Sequence, residues 1–120
     1  MGRRSRRQAK GLQAPQAPSE SYSDPEGNVL ELRGSLTLGS RRAYAEALAG
    51  NLLSREDARQ RAFELLFERL SVRWVIAGVP SESQKELLAR LRVASVEERE
   101  WVRGTLRRHC AENFPDVQVP

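Results

Sequence analysis

His109 and Cys110 are the single histidine and the single cysteine of the chain, and they are adjacent. No other two groups here are better suited to nucleophilic or metal chemistry. A Cys–His catalytic pair needs thiol and imidazole within hydrogen-bond reach, whereas successive residues on a helix project about 100° apart. The expected arrangement is a partly buried thiol beside an exposed imidazole. One His and one Cys also fall short of the three or four ligands that zinc requires, so no metal site and no cofactor are expected. A lone cysteine excludes an intrachain disulfide, which fits a reducing cytoplasm.

Carboxylates are the next candidates. Glu64 and Glu68 lie one helical turn apart, and Glu97, Glu98 and Glu100 crowd the start of a helix. Paired acids do acid–base work when their surroundings split their pKa values. Acids in a first turn are already accounted for by the helix dipole, and these read as solvated faces. Glu112 near His109 is the remaining enzymatic combination, and it is too sparse to define a reaction. Gly34-Ser35-Leu36-Thr37-Leu38-Gly39-Ser40-Arg41-Arg42 has the glycines of a phosphate-binding turn but neither the Gly-Lys-Ser/Thr ending of a P-loop nor a three-glycine dinucleotide spacing. It reads as the start of a helix. Arg41 and Arg42 then stand in a first turn, where cations are disfavoured, which marks that surface for contact. A non-enzymatic protein is expected.

Charge points to a binding role. The net charge is +4 over 120 residues, but its distribution is uneven. Residues 1–25 hold five basic residues (Arg3, Arg4, Arg6, Arg7, Lys10) against two acidic ones, and the remainder holds fifteen against fourteen. A basic arm on a nearly neutral domain binds phosphate weakly and with steep salt dependence. Nucleic-acid binding through those five residues is therefore the secondary reading, since the arm carries no aromatic residue for base stacking. No stretch approaches the roughly 18 apolar residues of a membrane span.

Residues 1–25, with Pro15, Pro18 and Pro25 among Gln, Ala and Ser, have too little apolar surface to offset the entropy of ordering, and disorder is expected. A single helical domain over 26–114 and a short tail over 115–120 complete the organisation. Asp24-Pro25-Glu26-Gly27-Asn28 has turn chemistry, and Val29–Arg33 is a short candidate strand. A helix over about 40–49 ends at Gly50-Asn51. Ser54-Arg55-Glu56-Asp57 opens a central helix whose Phe63, Leu66, Phe67, Leu70 and Trp74 recur at i, i+3, i+4, i+7 and i+11, carrying it to about Ile76 before Gly78 and Pro80. Ser83-Gln84-Lys85-Glu86 and Ser95-Val96-Glu97-Glu98 are capping boxes for two further helices, the last placing Val102, Leu106 and Cys110 on one stripe with Trp101 on its flank. The predicted fold class is mainly α: a small bundle of about four helices with a short N-terminal strand or hairpin and a disordered basic tail.

Helical faces that include Phe63, Phe67, Trp74 and Trp101 exceed what one small core covers, and the surplus would be a binding surface. Phe67, Leu70, Arg73, Trp74 and Trp101 are the candidate protein-binding residues.

The order of these features resembles the tail assembly chaperones of long-tailed phages. The matching text is Val29-Leu30-Glu31-Leu32-Arg33, Gly39-Ser40-Arg41-Arg42, and Ser71-Val72-Arg73-Trp74-Val75-Ile76-Ala77-Gly78-Val79-Pro80, within residues 26–114. The chain departs from the pattern after the tryptophan, where apolar Val75-Ile76-Ala77 replaces a turn rich in Asp and Asn. The resemblance implies a helical protein of the bacterial host cytoplasm that shields a tape-measure protein and recruits tail-tube subunits, without enzymatic activity or cofactor. Binding would bury a partner helix's apolar stripe in a groove rimmed by arginine, and self-association is compatible with that role.

Overall fold

A computed structural model describes residues 18–50 and 55–120 of the chain. The first element among the described residues is a hairpin. In Asp24-Pro25-Glu26-Gly27 the Asp24 carbonyl accepts from the Gly27 N–H at 3.0 Å, and the Asp24 carboxylate accepts from the N–H groups of Glu26 and Asn28 at 2.8 and 2.9 Å. Gly27 follows at φ +85°, so a type I turn plus one left-handed residue makes the connection. It joins β1 (Glu20–Ser23) to β2 (Val29–Leu32), antiparallel, with Ser23 opposite Val29.

The chain then crosses through two helices. Thr37 caps α1 (Leu38–Ala49), its hydroxyl accepting from the Ser40 N–H at 3.0 Å. Helix α2 (Arg55–Leu70) buries Ala58, Ala62, Phe63, Leu66, Phe67 and Leu70 on one stripe. The proposed capping residue Ser54, Asn51 of the preceding stop, and Arg3, Arg4, Arg6, Arg7 and Lys10 lie outside the described residues.

Here the structure corrects the sequence reading. Helix α2 stops at Leu70 and passes straight into strand β3 (Ser71–Ile76), so Trp74 sits on a strand and not on the last turn of a helix. Val72, Val75 and Ile76 are β-branched, which disfavours helix and suits a pleated surface. Ala77 and Gly78 both take positive φ, 52° and 79°, and so form the two-residue turn whose twist matches a hairpin. It leads into β4 (Val79–Ser81), with Ile76 opposite Val79 and Val75 opposite Pro80. All neighbours are antiparallel in the order β1-β2-β3-β4, and Val72 is the extra residue where the β2–β3 register shifts.

The capping boxes at Ser83 and Ser95 form in full and start α3 (Gln84–Arg92) and α4 (Val96–Asn113). The described residues thus form an α+β fold of four helices and a four-stranded antiparallel sheet, not a mainly α bundle with an optional strand. Glu20–Ser23 pairs as β1 although composition placed it in the disordered arm; β2 supplies its partner and Tyr22 its one apolar anchor.

Alternation along the strands explains the single core. Leu30, Leu32 and Trp74 point to one face and are at most 2% exposed, while Glu31 and Arg73 face the other side. The helices cover the first face with Tyr44, Phe63, Phe67, Leu87, Leu91, Val102 and Leu106. Residues 115–120, read from sequence as a tail, lie against this body. Phe114 is buried, Val117 and Val119 pack on the core, Arg41 pairs with Asp116 at 2.6 Å, and the Tyr44 hydroxyl donates to the Gln118 carbonyl.

Candidate functional site

The histidine expected to be exposed is fully buried. One face of α4 turns His109 toward β1, where its Nδ1 lies 2.7 Å from the Tyr22 hydroxyl and 3.3 Å from Glu20, while Nε2 lies 2.7 Å from the Arg33 carbonyl. Burial pushes the Tyr22 phenol up to about 12, and the Glu20 carboxyl is held below its usual value, first by the Asn113 side-chain amide and then by Tyr22. These groups tie the edge strand to α4. Cys110 points elsewhere, is 1% exposed, and its thiol is pushed by burial to about 11. A thiol so far from ionisation is a poor nucleophile. Among the described residues no group of three or more His, Cys, Asp or Glu could hold a metal ion, and no helix is long and apolar enough to cross a membrane.

The five candidate contact residues separate. Phe67, Leu70 and Trp74 belong to the core, and the Phe67 and Trp74 rings meet edge to face at 5.6 Å between centroids. Arg73 stands on the open face of the sheet, 3.6 Å from Glu82. Trp101 alone combines a large apolar surface with access to solvent.

Trp101 lies on the flank of α4 beside a cleft of about 510 Å³, whose other walls are Asp24, Pro25 and Glu26 of the first hairpin turn and Ser95, Glu97 and Glu98 of the helix start. Local chemistry fixes each wall. Ser95 and Glu98 are the two halves of a capping box, and Glu97 is one turn before Trp101, on the same helical face. Glu98 is held below the usual carboxylate range, first by the Ser95 backbone N–H and then by Arg90, which it pairs with at 2.8 Å. Burial works to raise Asp24, but hydrogen bonds from Asn28, Glu26 and Gly27 outweigh it and the net shift is downward. Both are therefore anions at neutral pH. Glu26 and Glu97 are exposed, and neither carboxylate has an ion-pair or hydrogen-bond partner among the described residues. Four carboxylates around an indole form a receptor for a cation that also carries apolar surface. A guanidinium or ammonium can lie on the ring face while the acids pair with its N–H groups.

On the other side of α4 the charge reverses. Arg59, Arg103 and Arg107 line a second cleft of about 370 Å³ with Glu56, Gln60 and Glu100. Arg103 stacks 4.6 Å above the Phe63 ring and pairs with Glu100 at 3.2 Å, so the surface offers phosphate no unbroken positive face.

Sequence reasoning singled out Trp101 but not its surroundings. Glu97 and Glu98 were legible as dipole-complementing acids and Asp24–Glu26 as a turn; nothing in the sequence signals that the turn comes to lie against the helix start. No protein family, curated protein or solved structure matches the chain.

Proposed function

We propose that this protein is a non-enzymatic binding factor that grips a basic, partly apolar segment of a protein partner at the Trp101 cleft. One observation carries the reading: a solvent-accessible tryptophan set among Asp24, Glu26, Glu97 and Glu98. Tryptophan is the residue most often found to dominate an interface, and exposed carboxylates steer a cationic partner and fix its register. This changes the expected rim from arginine to acid, and reduces the aromatic contact set to Trp101.

In its narrow form the proposal is the phage role that the sequence resembles: a cytoplasmic tail assembly chaperone that shields a tape-measure protein and helps recruit tail-tube subunits. The strand word Val29–Leu32 is β2, while the tryptophan word is the β3–β4 hairpin where the resemblance implies a helix end. The partner would thus present lysines or arginines beside its apolar stripe.

The test is a fluorescence titration with paired basic and acidic helical peptides, together with co-expression beside a tape-measure protein. Basic peptides should perturb Trp101 emission and bind at least tenfold more tightly than acidic ones. Trp101→Ala and the Glu26→Gln/Glu97→Gln pair should each remove that preference and release the co-purified partner. Equal binding of both peptide classes, or capture untouched by these changes, sinks the reading.

A further inference from the structure

Arginine covers aromatic rings throughout this molecule. Arg41 lies 5.4 Å from the centroid of Phe114, Arg90 5.4 Å from Trp74, Arg103 4.6 Å from Phe63 and Arg108 5.6 Å from Tyr22. The two other rings of the core, Phe67 and Tyr44, are buried by packing. Trp101 is the ring that reaches solvent with no guanidinium over it among the described residues, and it is the one set among carboxylates.

The cation that would complete the pattern is present in the same chain. Residues 1–17 hold Arg3, Arg4, Arg6, Arg7 and Lys10 and no acid. Residues 18–120 hold the other fifteen basic residues and all sixteen acidic ones, so the whole positive excess resides in that segment. Reach permits the encounter. Strand β1 leads from Glu20 directly to Asp24, the first wall of the cleft, so Pro18 is six residues from it, about 20 Å at strand rise. Eight residues separate Pro18 from Lys10, a span of up to about 26–29 Å. Lys10 and everything before it can therefore return to Trp101.

We infer that the Trp101 cleft is occupied in cis by the segment Arg3–Lys10, with an arginine on the indole and its neighbours paired to Glu26 and Glu97. The inference rests on the cleft being a receptor for basic segments, as proposed above. It makes the arm an internal competitor that an incoming partner must displace. A tether this short gives an effective concentration on the order of millimolar. For an intrinsic Kd of about 0.1 mM, cis occupancy weakens an external basic ligand about tenfold.

The test uses the full chain and a labelled peptide of residues 1–17, followed by fluorescence anisotropy at low and high salt. A chain with Arg3, Arg4, Arg6, Arg7 and Lys10 all changed to Ser should bind the peptide about tenfold more tightly than the native chain, and high salt should remove the binding. Adding Trp101→Ala, or the exposed pair Glu26→Gln/Glu97→Gln, which leaves the core intact, should weaken it at least tenfold. Equal affinity of the native chain and the chain with the five Ser substitutions overturns cis occupancy while the cleft reading stands. Failure of the peptide to bind where an unrelated oligo-arginine peptide binds at Trp101 has the same meaning. Failure of every basic peptide sinks both. Sedimentation showing a dimer of the native chain that the five Ser substitutions dissolve would assign the arm to a neighbouring copy and also overturn the inference.

Discussion

The Tyr22 hydroxyl and Nδ1 of His109 lie 2.7 Å apart across a separation of 87 residues. The Arg33 carbonyl, 2.7 Å from Nε2, can only accept, so Nε2 carries a proton, while Nδ1 faces both the Tyr22 hydroxyl and, at 3.3 Å, the Glu20 carboxylate, which that hydroxyl also reaches at 3.1 Å. Tyr22→Phe takes the hydroxyl from that buried nitrogen, leaving it Glu20 at 3.3 Å and Asn113 at 3.4 Å, and should cost about 1 kcal/mol; His109→Leu, which strands the carbonyl as well, should cost about 2–3 kcal/mol. Urea midpoints at constant slope measure both. A Tyr22→Phe chain as stable as the native one would show that the contact holds nothing.

Trp74 and Trp101 should part company under mutation. Trp74 is 2% exposed and packs on Phe67 and Leu30, so Trp74→Ala should destabilise by about 3–5 kcal/mol. Trp101→Ala removes a partly buried ring and should cost no more than about half of that. Thermal unfolding of the two variants decides it, and similar losses would place Trp101 in the core.

Cys110 should be protected from thiol reagents at pH 8, because burial keeps its thiol near 11. Labelling should follow denaturant concentration and proceed only through unfolding. Prompt stoichiometric labelling of the native protein would contradict this. The two tyrosines pushed by burial to about 12, Tyr22 and Tyr44, make the alkaline side similar. Their raised values contribute stability that is complete below pH 10 and lost as the pH rises toward 12.

The acid side has the opposite sign. Glu86 and Glu98 are held below the usual glutamate value, each first by a backbone N–H at its helix start, from Glu82 and Ser95 respectively. Their contribution is therefore present above about pH 4.5 and disappears as the pH falls through the lower folded values. Glu98→Gln should lower stability at pH 7 and flatten its fall below pH 4.5, and Ser95→Ala should cost about 1 kcal/mol. Denaturant melts at pH 3 and 7 check both, and an unchanged acid slope in Glu98→Gln counts against the cap.

Legibility followed range. The boxes at Ser83 and Ser95 span four residues each, and both formed as read. The stripe Phe63, Leu66, Phe67, Leu70 was equally local. Trp74 misled because i+11 falls on the same helical stripe, while in the structure the inner face of a strand presents it to the same core; one apolar residue satisfies both periods. The β-branched Val72, Val75 and Ile76 before Ala77-Gly78 were the signal that the period had changed. Strand β1, Glu-Ser-Tyr-Ser, has no strand signature of its own and exists by pairing with β2. The cleft was least legible of all, since its two walls come from segments some seventy residues apart in the chain.

Pro80 sets how the sheet meets other molecules. In a two-residue hairpin the pair next to the turn, Ile76 and Val79, exchanges the ladder bonds, so Pro80, opposite Val75, directs its backbone nitrogen outward. That nitrogen has no hydrogen to give, and β4 is only three residues long. A strand from another polypeptide arriving at this margin would find a gap in the donor row where it needs continuity. Crowded or partly unfolded molecules should therefore be slow to stack into fibrils along this border.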